Sequence, residues 1–268
     1  MSKNNSFPVV ILAGGLGTRI SEESQMKPKP MVLIGDRPIL WHIMNHYSSF
    51  GFNKFIVCLG YKGYLIKEFF YNYFLHQSDV EINLKTNEIK YLNSNGNDWT
   101  VKLIDTGLNT QTGGRIKQIE PYIDTDSFCL TYGDGLSNVN LDELMHFHKS
   151  HGKIATLTAI QPEGKFGALN IQNHQINSFS EKPKGDGQWI NGGFFIFNKQ
   201  LFNYLNNDLQ LIFERAPLEN LANDGELQAF QHAGFWKCMD TLRDKNELNE
   251  MALSECPPWK EFSSLTKK

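Results

Sequence analysis

The chain has 268 residues, 40% of them hydrophobic, enough for one large core and too few for several independent units. Its 26 basic residues stand against 29 acidic ones, a formal charge of −3, so no polybasic field directs it to nucleic acid or to a membrane surface. Any phosphate binding has to be local.

Cys58, Cys129, Cys238 and Cys256 are scattered without C-x-x-C spacing, and three of them have apolar neighbours. That usage fits reduced, mostly buried thiols rather than a zinc site or a disulfide frame, and a cytoplasmic location is expected. The leading "MSKNNSF" is polar and short, and no apolar run approaches the roughly 18 residues of a membrane span, so neither secretion nor anchoring is expected.

"PVVILA" (8 to 13) is a short β-branched run ending in glycines, and "KFIVCLG" (54 to 60) is another. Between them Ile39, Ile43, Met44 and Tyr47 fall at helical spacing behind Pro38, which makes a βαβ unit. "YLIKEFFYNYFL" reads as one helix, 85 to about 100 as polar and irregular, and "TVKLIDTG" as a strand. "SFCLTYGDG" is a buried strand stopping on a carboxylate between glycines, and "NLDELMHFHKSHG" is a helix closed by Gly152. Alternation of this kind implies a mainly parallel α/β sheet with helices on both faces. Farther on, "ATLTAI", "GALNIQNHQINSFSE" and "NGGFFIFN" read as strands, with a hairpin at Asn173-His174, inserted into or extending the same sheet. One body is expected over 1–268, with a nucleotide-binding part at about 8–135 and a sugar-phosphate part at about 136–260.

The glycine turn "LAGGLGTR" follows a strand directly, the end of a parallel sheet where ligands collect. Glycines there let backbone N–H groups approach an anion, and a helix starting nearby would add its positive end. The spacing rejects two common phosphate loops. A third glycine at the dinucleotide-binding position is missing, since Ile20 stands there, and no Gly-Lys-Ser/Thr ends the turn as a P-loop requires.

"LAGGLGTR" followed by "KPKPM" resembles the signature of the sugar-1-phosphate nucleotidylyltransferases. The narrower "TGGRIK", "EKPKGDG" and "MDTLRDK" look like the glucose-1-phosphate cytidylyltransferase branch, and the likeness runs from about residue 8 to about 260. It implies a Rossmann-like sheet with a small β-rich sugar-binding extension, magnesium, CTP and glucose 1-phosphate as partners, and CDP-glucose with pyrophosphate as products. It assigns Leu12, Ala13, Gly14, Gly15, Leu16, Gly17, Thr18 and Gly133 to the nucleotide, and the loop with Thr110, Thr112 and Arg115 to the cytosine side. Gly167, Glu181, Lys182, Asn191 and Gly192 go to the sugar phosphate, Arg19 and Lys29 to the phosphates in catalysis, and Asp134 and Asp240 to the metal. Homo-oligomers, hexamers among them, are the expected assembly.

These residue types suit the chemistry. A sugar 1-phosphate is already an anionic nucleophile, its second pKa being about 6, so no general base is needed. What must be overcome is repulsion between two polyanions and charge growth on departing pyrophosphate. An arginine fork, a lysine and a cation held by carboxylates meet that demand.

Plainer readings stand beside several of these. Asp240 could cap the helix starting at "TLRDKNELNEM", Asn191-Gly192-Gly193 could be a β-bulge, and the loop around Thr110 could be polar surface. Lys165 stands where the resemblance leads one to expect arginine. His146, His148 and His151 read as solvated, Phe69, Phe70, Tyr71, Tyr73 and Phe74 as packing with some subunit contact, and Trp236 as sugar-pocket wall or core. Transfer of another nucleotide, another hexose phosphate, or a non-catalytic nucleotide-sugar sensor are the competing functions. The sensor is disfavoured because Arg19, Lys29, Asp134 and Asp240 are all present.

Overall fold

The computed structural model describes residues 5, 7–20, 26–93, 96–162, 168–172, 175–180 and 188–260. Strand β1 (Val9–Leu12) leads into the glycine turn, and a small pair, β2 (Leu33–Ile34) and β3 (Arg37–Pro38), precedes helix α1 (Ile39–Ser49) and β4 (Lys54–Leu59). Pro38 sits at the N-cap of α1, where its missing N–H costs nothing. The run expected as one helix is broken at Asn72 into α2 (Gly63–Tyr71) and α3 (Tyr73–Gln77). Asn72 turns both its backbone N–H and its side-chain amide onto the Glu68 carbonyl, which closes the first segment.

The segment expected to be irregular carries a hairpin instead, β5 (Val80–Asn83) and β6 (Glu88–Tyr91), turned through Asn87 at φ +57°. Its side chains are almost all exposed, Ile82 and Ile89 included, so no inside-outside alternation marked it in the sequence. Then follow β7 (Thr100–Asp105), α4 (Thr112–Gln118), β8 (Ser127–Tyr132), β9 (Gly135–Ser137), α5 (Leu141–His151) and β10 (Ala155–Ile160). Helix α5 has the ends its sequence prescribes: the Asn140 side chain accepts from the N–H groups of Asp142 and Glu143, and Gly152 closes it at φ +64°.

Among the described residues, strands β11 (Ala168–Gln172) and β12 (Gln175–Ser180) pair only with each other; the turn residues Asn173 and His174 lie outside them. The chain rejoins the main sheet through β13 (Ile190–Asn198), passes α6 (Ala216–Asn223) and β14 (Leu227–His232), pairs β15 (Trp236–Cys238) with β9, and reaches α7 (Leu242–Ala252).

The seven-stranded sheet has the order β14-β10-β13-β8-β1-β4-β7. Pairs β7-β4, β4-β1, β1-β8 and β10-β14 are parallel, whereas β13 runs antiparallel to both β8 and β10. Six strands therefore point one way and β13 alone points back. The first residues of β13 consequently meet the last residues of β1 and β8 along one edge. Both faces are covered, as the unbroken apolar runs of β1 and β4 require. Val9 and Ile11 join Ile39, Ile43 and Tyr47 in one core, and Val10 and Leu12 join Ile116, Phe128, Phe197 and Phe213 in the other.

Two expectations change here, and a third holds. His148 is buried, not solvated: its ring nitrogens meet Thr156 Oγ1 at 2.8 Å and Asn198 Oδ1 at 3.1 Å, and His151 meets the same Thr156 at 2.7 Å, while His146 is exposed. Only Cys58 and Cys129 are buried; Cys238 is half-buried and Cys256 exposed, all four being free. The aromatic cluster is packing, as expected, at Phe69, Phe70 and Tyr73, whose rings meet edge-on or stacked, and Tyr73 lies tilted against Trp99, whereas Tyr71 is exposed. No helix among the described residues is long and apolar enough to cross a membrane.

Candidate active site

The site forms along the edge where β1 and β8 end and β13 begins. After Leu12 the chain turns through Ala13, whose N–H donates to Cys58, and Gly14, whose carbonyl accepts from Tyr61. The turn closes in a three-residue 3-10 turn, Thr18–Ile20, entered through Gly17 at φ +64°. Among the described residues the backbone N–H groups that the loop presents belong to the turn itself. Arg19 belongs to this turn; its side chain lies outside the described residues.

Arg115, expected on the cytosine side, holds the turn from behind. One terminal nitrogen donates to Leu59 O, Thr106 Oγ1 and Gly107 O at 2.9, 2.7 and 2.8 Å; the other donates to Gly14 O at 3.0 Å and Leu108 O at 3.3 Å. Burial lowers its pKa, and no carboxylate is among these partners. A β-carbon on Gly14 would fall 2.2 Å from this guanidinium, which is why glycine is needed there.

The two aspartates come together through β9 and β15. Cys238 is registered opposite Gly135, so Asp134, just before β9, and Asp240, just after β15, leave the ribbon on the same side. The Met239 N–H donates to the Asp134 carbonyl at 2.9 Å and fixes the pair. Asp240 does not cap α7: that role belongs to Thr241, which forms a reciprocal capping box with Asp244. The helix-cap reading of Asp240 is thereby corrected, and its carboxylate turns to the clefts.

Lys29 opens the 3-10 turn Lys29–Met31, with Pro28 and Pro30 fixing φ on either side of it. Its ammonium lies 2.7 Å from Asp134 Oδ2 and 2.7 Å from Asp240 Oδ1. Burial alone would lower its pKa, but the two carboxylates outweigh that and hold it above the ordinary lysine value. Two carboxylates thus share one cation. Among the described residues no group of three or more His, Cys, Asp or Glu side chains could hold a metal.

Most of the expected site residues line one cleft of about 350 Å³: Leu12, Ala13, Gly14, Gly15, Gly17, Thr18, Lys29, Thr110, Thr112, Arg115, Gly133, Asp134 and Asp240. Leu16 is half exposed at the tip of the loop, outside that wall. An adjoining cleft of about 250 Å³ is lined by Asn191, Gly192, Trp236, Cys238 and the same two aspartates. There Trp236 Nε1 donates to Gly192 O at 2.6 Å, so the ring is cleft wall tied to the start of β13. The register of β13 against β10 shifts at this point, so the irregularity offered as the plainer reading is present and coexists with the cleft. Gly167, Glu181, Lys182 and Lys165 lie outside the described residues.

Sequence reasoning passed over Tyr132, which lines both clefts, and Gln111, Pro30 and Ile20, which line the first. Tyr132 stood beside the quoted Gly133-Asp134, and its position at a strand end was the signal available. Burial, and after it the Glu214 carboxylate, pushes its hydroxyl pKa up, so it stays protonated and donates.

The model of the family described as nucleotidyl transferase matches residues 8–241. Proteins named glucose-1-phosphate cytidylyltransferase from Salmonella typhi and Salmonella typhimurium are each 53% identical over 252 residues, covering 94% of this chain and 98% of the relative. Among solved structures, HddC from Yersinia pseudotuberculosis aligns with a TM-score of 0.66 at 26% identity, covering 91% of this chain and 98% of that one. The chain belongs to the nucleotidyl transferase family and, within it, to the glucose-1-phosphate cytidylyltransferases.

Proposed function

We propose that the chain transfers a cytidylyl group from CTP to α-D-glucose 1-phosphate, giving CDP-glucose and pyrophosphate. The observation that carries the mechanism is the convergence of Asp134 and Asp240 on one cation where two clefts adjoin. In this reading the larger cleft takes the nucleotide and the smaller the sugar phosphate.

The donor set fits magnesium. Two hard carboxylate oxygens already share a cation, both side chains are about a third exposed to the clefts, and magnesium characteristically takes one or two carboxylates with water and substrate phosphate filling the rest. Bound by Asp134 and Asp240, the ion would neutralise charge on the α-phosphate.

The remaining work falls to the chain. The glycine turn offers backbone N–H groups to the triphosphate, Arg19 forks across its β and γ phosphates, and Lys29 neutralises the α-phosphate or the leaving group. Glu181 accepts from sugar hydroxyls, Lys182 offsets the sugar's own phosphate, and Asn191, Gly192 and Gly167 shape the sugar cleft. A phosphate oxygen of glucose 1-phosphate forms a bond to the α-phosphorus as the bond to the β-phosphate oxygen breaks, and pyrophosphate leaves with the electron pair. No proton moves. Thr110 and Thr112, with main-chain groups of a loop that Arg115 holds in place, face the base; cytosine presents an N4 donor where uracil presents an acceptor, so a main-chain carbonyl can choose between them.

The assembly is a homo-oligomer, a hexamer in this reading; the exposed apolar side chains of Leu84 and Leu92, which flank strands of the β5–β6 hairpin, and of Tyr71 at the end of α2 support contact between copies. A cytoplasmic location agrees with four free cysteines. The test is pyrophosphate release from protein, magnesium and glucose 1-phosphate mixed separately with CTP, UTP, dTTP, ATP and GTP. Release with CTP alone is expected; release with another triphosphate overturns the base assignment, and release with none overturns the reaction.

A further inference from the structure

Glu214 lies on the segment before α6, lines neither cleft, and is 102 positions from Thr112 and 82 from Tyr132. Its carboxylate nonetheless joins both. Oε2 accepts from the Thr112 hydroxyl at 2.6 Å, and Oε1 accepts from the Tyr132 hydroxyl at 2.6 Å. The Tyr132 oxygen in turn accepts from the Asn191 side-chain amide at 3.2 Å, and Asn191 Oδ1 accepts from the Gly193 N–H at 2.8 Å. An unbroken path of hydrogen bonds thus runs from a wall of the first cleft, through Glu214, to a wall of the second.

The two ends of this path are well anchored, and the carboxylate is the only charged member. The Gln111 and Gly113 N–H groups donate to Leu209 O and Leu211 O at 2.8 and 2.9 Å, and the Phe213 N–H donates to Thr112 Oγ1 at 2.9 Å. The loop carrying Thr112 therefore rests on the same segment that presents Glu214. At the other end the Tyr132 ring packs on Gly193, where φ is +77° and a β-carbon would fall 2.5 Å from a ring carbon. Bonds to an ionised acceptor are about twice as strong as neutral ones, so Glu214 is the stiffest link.

We propose that Glu214 is a positioning residue that couples the two subsites, so that filling one preorganises the other. The proposal rests on the assignment of the two clefts to nucleotide and sugar phosphate. A ligand that immobilises Thr112 or Asn191 fixes Glu214 and Tyr132 as well, and the second ligand then meets a wall already ordered. Such coupling is reciprocal: the nucleotide must tighten the sugar phosphate by the same factor that the sugar phosphate tightens the nucleotide.

The experiment is calorimetric titration of the full chain with glucose 1-phosphate, with and without saturating CMP, which has no pyrophosphate to lose and permits no turnover. The reverse titration checks reciprocity. Wild type is expected to show tightening of about tenfold in each direction, within the usual range of coupling factors. Glu214→Ala and Tyr132→Phe are expected to bring the factor close to one, and Glu214→Gln, which keeps one acceptor oxygen, to leave an intermediate value. Tyr132→Phe removes a single hydroxyl and keeps the ring on Gly193, so it decides the matter even where Glu214→Ala melts early. A factor of one in wild type, or the same factor in wild type and in Tyr132→Phe, overturns the relay. Failure of wild type to bind either probe overturns the cleft assignment, and the relay with it.

Discussion

The Lys29 ammonium and a carboxylate oxygen of Asp240 stand 2.7 Å apart across 211 positions of the chain. The same ammonium meets Asp134, so a protein cation occupies the gap in which the two carboxylates would hold a metal. In the proposed function it competes with that metal and, once released, is free for phosphate. Lys29→Met is expected to bind Mn2+ alone more tightly than wild type, read by electron paramagnetic resonance, and to lose on the order of 10²–10³ in kcat. Unchanged Mn2+ affinity would mean that Lys29 does not stand between the aspartates in solution.

Asp240 and Thr241 are neighbours with separate duties, and substitution separates them. Asp240→Asn should abolish measurable pyrophosphate release while leaving α7 capped. Thr241→Ala removes the side-chain half of the capping box, at a cost of about 1 kcal/mol. For a chain of this size that lowers Tm by about 2 °C. Melting curves and pyrophosphate assays on both variants check the division; equal loss of activity in the two would contradict it.

Arg115 feeds five acceptors from its two terminal nitrogens. Lysine has three donors on one point and cannot span them. Arg115→Lys should lose at least two of these five bonds, each worth about 1.5–3 kcal/mol as a bond to a charged group, although Gly14 O and Leu59 O keep the Tyr61 and Thr106 donors. A fall in Tm together with weaker CMP binding is expected. A stable variant with unaltered CMP affinity would show that the clamp does not set the glycine turn.

Much of this was legible in the sequence. β1 and β4 showed as continuous apolar runs because both faces of a parallel sheet are buried, and Gly152 marked the end of α5. Gly14 and Gly133 marked the site, but the reason for Gly14 did not: it is the Arg115 guanidinium, 101 positions away. Glu214 carried no local signal at all, since an exposed glutamate gains meaning only from the two hydroxyls folding brings to it. The β5–β6 hairpin was missed because its exposed side chains erase the periodic contrast on which such readings depend.

His42 and His46 are both buried, and burial pulls each down to about 4. Unfolded, each takes up a proton near its ordinary value of about 6.5. Between those two values the unfolded chain binds more protons, so the stability these histidines contribute is complete above pH 6.5 and is lost as pH falls toward 4. The slope is about 1 kcal/mol per pH unit for each. Melting at pH 7.5, 6.5 and 5.5 should show Tm falling on the acid side, and His46→Leu should flatten that fall. Parallel curves for variant and wild type would remove His46 from the account.

The lone reversed strand has a consequence for how such a molecule diversifies. Because β13 opens, rather than closes, at the working edge, the stretch between β10 and β13 can lengthen, shorten or change composition without dragging the glycine turn along. On the proposed division of the clefts, hexose preference can drift while the phosphate machinery stays fixed, as with a lathe whose chuck is exchanged while its bed remains bolted down.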